Sequence, residues 1–293
     1  MKPAPFRYAA PRTLDEALAV LSQHGAEAKV LAGGQSLVPL LNLRLARPEL
    51  VVDINRVAGL DAVRHEDGWV EIGALVRQWD AERDPLVRSQ VPLLAQALGY
   101  VAHPQIRARG TLCGSVAHAD PAAEIPLVLT TLGGEVVAAR AGGSRTLPAE
   151  AFFLDLFTTA LASDELVTAI RLPAGGFQGT AFCEFSPREG DFALVAVAVA
   201  LRWDAGGRIQ EARVGVSGVG PTARRVVEAE AALAGEEKSR SAAQRAGEAV
   251  AAAVHASGDV HASAEYRRHL ARVLTERAVV QAMAIGGEGV DAQ

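Results

Sequence analysis

Apolar residues change their period several times along this chain, and each change marks an element. After Thr13-Leu14-Asp15-Glu16, Leu14, Leu18 and Leu21 fall on one helical face. The tetrad is a capping box: Thr13 can accept from an early backbone N–H while Glu16 reaches back to the cap. Gly25 is the stop signal. Lys29-Val30-Leu31 and Leu50-Val51-Val52-Asp53-Ile54 are short apolar runs that read as strands. Residues 1 to about 56 therefore predict a small β-α-β lobe.

Trp69-Val70-Glu71-Ile72-Gly73 alternates as a half-buried strand does. A helix is expected over 92–99 and an apolar one over 122–132, with strands over 135–139 and 166–172. These form a second lobe, 57–176. Pro173–Gly179 carries three glycines and reads as the linker. Beyond it three strands are expected, over 180–186, 192–203 and 208–218. Asp204-Ala205-Gly206-Gly207 is a hairpin signal between the last two. Three Ala-rich helices should follow, about 222–235, 239–256 and 264–284. Strands followed by helices give an α+β domain over 177–285. The glycines after Ile285 make 286–293 a flexible tail.

A length of 293 residues suits two domains better than one. The net charge of −5 has no basic stripe, which argues against a nucleic-acid partner. The N-terminus lacks the apolar core of a secretory signal. The longest apolar run, 192–201, is about half of a membrane span. A cytoplasmic protein is expected. Cys113 and Cys183 are the two cysteines. A cluster of iron and sulfur usually takes four, so any such chemistry belongs on another polypeptide.

Two glycine-bearing loops stand between strand-like and helix-like segments: Ala32-Gly33-Gly34-Gln35-Ser36 and Thr111-Leu112-Cys113-Gly114-Ser115. Bare N–H groups in such a turn form an anion-binding concavity. Two of them suggest a diphosphate gripped from both sides, hence a dinucleotide. On this reading a side chain at Gly33 would stand where the diphosphate approaches. Neither loop has the spacing of a Rossmann fingerprint or a P-loop. Ser36 either donates to a phosphate or caps the next segment. Asp120, before Pro121, is either a helix N-cap or a partner for a sugar hydroxyl. Arg107 and Arg109 either neutralise phosphate or lie on an exposed face. His118 either reaches the ligand or is an ordinary histidine; the histidines lack the spacing of a zinc site.

The two loops, together with Asp120-Pro121-Ala122-Ala123-Glu124, resemble the FAD-binding medium subunit of molybdenum hydroxylases, the xanthine dehydrogenase and carbon monoxide dehydrogenase type. Leu43-Arg44, Val52-Asp53-Ile54-Asn55 and Ser186-Pro187-Arg188-Glu189-Gly190-Asp191-Phe192-Ala193 extend the resemblance over the whole chain. It implies a two-lobed vanillyl-alcohol-oxidase-like (PCMH-type) FAD-binding domain over 1–176, followed by a C-terminal three-stranded sheet with helices. It implies FAD as cofactor. The site would use Ala32, Gly33, Gly34, Gln35, Ser36, Leu37, Val101, Ile106, Thr111, Gly114, Ser115, His118, Asp120, Glu124, Leu161, Leu166, Asp191 and Phe192. The flavin ring would lie between the lobes and the C-terminal domain near Asp191-Phe192.

The chain departs from the family at Cys113, where a glycine is usual; the side chain must then point away from the phosphates. Glu124 stands where Asp is frequent, Ala108 where Asn is frequent, and Glu184 where some members have lysine. The implied partners are a large subunit with the molybdenum cofactor and a small subunit with 2Fe–2S clusters, in a dimer of heterotrimers. FAD would take electrons from those clusters and pass them to a terminal acceptor; no protein group is assigned as catalytic. The alternative is a stand-alone FAD-dependent oxidoreductase acting directly on a small molecule.

Overall fold

The computed structural model describes residues 2–285. The expected tail, 286–293, lies outside the described residues. In the first lobe β1 (Arg7–Ala9), α1 (Leu14–His24), β2 (Ala28–Leu31), α2 (Leu37–Asn42) and β3 (Leu50–Asp53) build a parallel sheet in the order β1-β3-β2. Parallel neighbours need crossovers, and α1 and α2 lie in those connections. The capping box is complete: Thr13 Oγ1 accepts from Glu16 N at 3.2 Å, and Glu16 Oε2 accepts from Thr13 N at 3.4 Å. The sequence pattern shows no trace of β1, because its three residues are exposed or half-buried and carry no alternation.

The second lobe opens with β4 (Val63–Glu66) and β5 (Trp69–Gly73). Six short helices follow: α3 (Gln78–Arg83), α4 (Pro85–Gln90), α5 (Pro92–Leu98), α6 (Pro104–Arg107), α7 (Leu112–His118) and α8 (Glu124–Leu132). Prolines open α4, α5 and α6 at a position whose N–H would go unpaired anyway. Then come β6 (Glu135–Arg140), β7 (Gly143–Pro148), α9 (Ala149–Phe152), the small hairpin β8 (Phe153–Asp155) and β9 (Thr158–Thr159), and β10 (Leu166–Pro173). The main sheet is antiparallel, ordered β4-β5-β10-β6-β7. The helical insertion between β5 and β6 packs on it, with α7 against β10 and β5.

The last part of the chain is the antiparallel sheet β11 (Gly179–Phe185), β12 (Val195–Trp203), β13 (Ile209–Ser217) and β14 (Arg224–Arg225), followed by α10 (Val227–Leu233), α11 (Arg240–Ala253) and α12 (Ala264–Ala284). The expected three strands are joined by a fourth, β14, from a stretch assigned to helix. Arg224 and Arg225 instead pair antiparallel with Val216 and Gly215 of β13, and the Arg225 guanidinium donates to Glu230 at 2.6 and 2.9 Å. The hairpin at 204–207 forms as expected, with Asp204 Oδ1 accepting from Gly206 N and Arg208 N and Gly207 at φ +80°.

Strand β12 fixes how the two halves meet. Val195, Val197, Val199 and Leu201 face the C-terminal helices, whereas Ala196, Ala198 and Ala200 join the core of the N-terminal lobes. Small side chains on that face let α8 lie close to the sheet. At Gly215 on β13 a Cβ would collide with Thr131 Oγ1 and come to 3.0 Å from Leu127 Cδ1, both on α8. The seam between the halves is thus apolar and close-packed.

Candidate functional site

The first loop leaves β2 and turns at Gly34, whose φ of +75° is the left-handed region that glycine tolerates. Among the described residues, the backbone N–H groups of Gly33, Gly34, Gln35, Ser36 and Leu37 donate to no protein acceptor. Gln35 folds back so that its Nε2 donates to Gly33 O at 3.1 Å. Ser36 is the residue before α2 but makes no side-chain cap bond. The result is a run of donors with no partner of their own, which suits an anion.

The second loop begins α7. Thr111 Oγ1 accepts from Gly114 N at 3.1 Å, and Ser115 N donates to Thr111 O at 3.2 Å. The N–H groups of Leu112 and Cys113 are left without protein acceptors among the described residues. Gly114 has no room for a side chain, since a Cβ would stand 2.6 Å from Thr111 Oγ1. Cys113 points its thiol into the core, toward Ile72 O at 3.5 Å, and burial pushes the thiol up to about 12. It therefore stands clear of the loop surface and is unreactive.

The loops meet. A Cβ on Gly33 would collide with the Arg109 carbonyl oxygen and sit 2.8 Å from Gly110 Cα. This corrects the reason for glycine there: its missing side chain makes room for the other loop's backbone rather than for a ligand. A polar latch bridges the same contact. Arg77 donates to Arg109 O at 2.8 Å and to Asn55 Oδ1 at 2.6 Å, and Asn55 Nδ2 donates to Ala32 O at 2.8 Å. Arg77 carries no signal in sequence; Asn55 at the end of a strand is the one hint. Burial, then the neighbouring Arg109 guanidinium, lowers the Arg77 pKa. An anion between these loops would relieve that repulsion.

Of the two arginines first considered as phosphate partners, Arg107 is corrected to a structural role. It is buried and donates to Val101 O at 2.9 Å and to Glu82 Oε2 at 3.1 Å. Val101 is held by that bond, and half-buried Ile106 lies in α6 just before the Arg109–Gly110 contact. The Arg109 side chain is exposed.

His118 ends α7, half-buried, its ring 5.1 Å from Phe157. Burial lowers its pKa, opposed by Asp120. Asp120 is not an N-cap: its Oδ1 accepts from Ala122 N at 2.9 Å in a local turn, and α8 starts only at Glu124, after Ala123. Glu124 is 9% exposed, and burial pushes its carboxyl up to about 7. Leu166 is buried in the main core and Leu161 packs against that core.

The β11–β12 loop comes over from the C-terminal half. At Gly190 a Cβ would collide with the His103 ring, so this loop lies on the residue that precedes α6. Asp191 is paired with Arg188 at 2.9 Å, and Phe192 is 72% exposed. The fold thus brings Gly33 against Arg109 and Gly110, and Gly190 against His103 at the start of the same 103–115 stretch.

A family model described as "FAD binding domain in molybdopterin dehydrogenase" matches residues 4–175. One described as "CO dehydrogenase flavoprotein C-terminal domain" matches 180–282. The chain is 40% identical over 286 residues to the 6-hydroxypseudooxynicotine dehydrogenase complex subunit alpha of Paenarthrobacter nicotinovorans, covering 97% of this chain and 96% of that one. It is 37% identical to the carbon monoxide dehydrogenase medium chain of Hydrogenophaga pseudoflava, covering 97% and 99%. The solved carbon monoxide dehydrogenase of that organism superposes with a TM-score of 0.93 at 38% identity, covering 97% of this chain and 99% of that chain. Quinoline 2-oxidoreductase from Pseudomonas putida 86 gives 0.93 at 35% identity, covering 97% and 98%.

Proposed function

Because the chain belongs to the FAD-binding medium subunits of the molybdenum hydroxylase family, we propose that it is the electron-transfer flavoprotein of a multi-subunit hydroxylase. Residues 1–176 would bind FAD, and 177–285 would form the C-terminal domain. FAD, when bound, accepts electrons singly or in pairs and passes them on. The chain's own residues supply grip and electrostatics. The N–H groups of Gly33 to Leu37 and of Leu112 and Cys113 would hold the diphosphate, with Ser36, Thr111, Ser115 and Arg109 beside it. Asp120 would face the sugar hydroxyls, and His118, Glu124 and the Asp191–Phe192 loop the flavin end.

The observation that carries this reading is the contact of Gly33 with Arg109–Gly110, which joins two donor-rich loops from different lobes. The electrons would come from 2Fe–2S clusters on a small partner subunit, fed by a molybdenum cofactor on a large one. Two cysteines, both buried, cannot supply a four-thiolate site here. A dimer of heterotrimers in the cytoplasm is the assembly we propose. Among the described residues no helix is long and apolar enough to cross a membrane.

The test is purification under native conditions with an affinity tag on this chain. The expected result is a yellow complex containing two further polypeptides, molybdenum and iron. Its flavin should bleach on addition of the hydroxylase substrate, whereas FAD on the isolated chain should not. A lone chain whose flavin is reduced directly by a small molecule would overturn the proposal.

A further inference from the structure

Asn55 follows β3 by two positions, and its side chain joins groups of opposite hydrogen-bonding character. On one side its Nδ2 donates to Asp53 Oδ1 at 2.6 Å and to Ala32 O, at the head of the first loop, at 2.8 Å. On the other its Oδ1 accepts from Arg77 Nη2 at 2.6 Å. A carboxylate and a carbonyl only accept, and a guanidinium only donates. A single orientation of the amide satisfies all of these partners. Turning it over would set oxygen against oxygen and N–H against N–H.

Both ends of this row are anchored. Asp53 Oδ1 also accepts from Asn55 N at 2.9 Å, and Asp53 Oδ2 accepts from the Tyr8 hydroxyl on β1 at 2.6 Å. Partial burial works against the Asp53 charge, but the bonds from Tyr8 and Asn55 outweigh it and hold the carboxyl below its ordinary pKa. Arg77 is built onto the second loop. Besides its bond to Arg109 O, it pairs with Thr111 in an antiparallel bridge, and Gln78 N donates to Gly110 O at 2.9 Å. The other charges facing the row are Arg56 beside Asp53, and Arg109 and Asp80 beside Arg77. The row thus runs from β1 of the first lobe, through Asn55, to the second loop.

We propose that Asn55, its amide turned by Asp53, is the positioning residue that sets the first loop against the second and so fixes the width of the diphosphate grip. The proposal rests on the reading of the two loops as the diphosphate's seat. Gly33 decides how near the loops come, because it packs on Arg109 and Gly110. The Asn55 row decides that they stay there. Position 55 needs a donor at one end and an acceptor at the other, rather than bulk. Aspartate and leucine have nearly the size of asparagine and lack that pairing.

The experiment is fluorescence titration of the full FAD-free chain with FAD, from about pH 8 to about pH 5, each variant compared with wild type at the same pH. Asn55→Leu should weaken binding about 10- to 150-fold at every pH, the scale of one hydrogen bond to a charged partner. Asn55→Asp keeps an acceptor for Arg77 but opposes a new carboxylate to Asp53 and to Ala32 O, so it should also weaken binding near neutral pH and above. Two carboxylates so placed take up one proton more readily than either does alone. That proton restores a donor on the Asp53 side. The Asn55→Asp deficit should therefore shrink about 5-fold or more on acidification, the scale of one hydrogen bond regained. A deficit constant with pH, or no deficit, would overturn the positioning role. Urea unfolding of the FAD-free chain separates this role from the diphosphate's seat. Relative to wild type, the Asn55→Asp midpoint should rise as pH falls; a flat difference overturns the part played by the amide's direction, whatever FAD does. A rising midpoint together with failure of ADP to displace FAD from wild type overturns the seat, and with it the role toward the cofactor.

Discussion

Replacing Gly33 by alanine tests the joint between the two loops. The added Cβ would collide with the Arg109 carbonyl oxygen and sit 2.8 Å from Gly110 Cα. Both atoms are backbone, so no side-chain rotation relieves the overlap; the loops must part. The contact they lose includes the Arg77 bond to Arg109 O at 2.8 Å. Overpacking of this kind costs about 1–3 kcal/mol. If about 2 kcal/mol of that falls on the FAD-bound geometry, affinity drops about 30-fold. Fluorescence titration of the apo chain with FAD measures it. Gly143→Ala is the control, because a Cβ there meets nothing within 4 Å; it should leave affinity unchanged. Wild-type affinity in Gly33→Ala would refute the argument that close approach of the loops builds the site.

Arg77→Ala removes the latch that ties Arg109 O and Asn55 together; it should cost about 1.5–3 kcal/mol of stability, the scale of charged hydrogen bonds, and weaken FAD retention, as read by urea unfolding and by flavin absorbance after dialysis. Thr13→Ala breaks the capping box of α1, remote from the loops; urea unfolding should show a loss of about 1 kcal/mol, with FAD affinity unchanged. Buried Glu124, and half-buried Glu184 with one enclosed carboxyl oxygen, give a pH dependence whose sign is fixed. In the unfolded chain both ionise near pH ~4, but in the fold they do so near 7 and 8. Between these limits the unfolded chain binds fewer protons, so stability should decline as pH rises from about 5 and be lost through 7 to 8. Glu184→Gln should flatten that decline in urea unfolding curves, and an unaltered profile would show that Glu184 is not the titrating group.

The sequence by itself determined the elements whose signals are local. Period-two alternation marked Trp69–Gly73, and the structure places β5 over those residues. Thr13 and Glu16 marked the start of α1 through bonds that span three residues. The glycines of both loops, and the resemblance carried by their neighbours, pointed to the family. Tertiary structure alone decided what depends on distant partners. Strand β1 exists because β3 offers it a parallel edge, and β14 because β13 offers it an antiparallel one. Asp120 reads equally well as a cap or a local turn until the start of α8 is known. Arg107 became structural because Glu82 and the Val101 carbonyl reach it. Gly33 is required by a backbone some 75 residues away, and Gly215 by Thr131 only when α8 packs against β13. Such contacts join residues far apart in the chain, and no local pattern of apolar and polar positions encodes them.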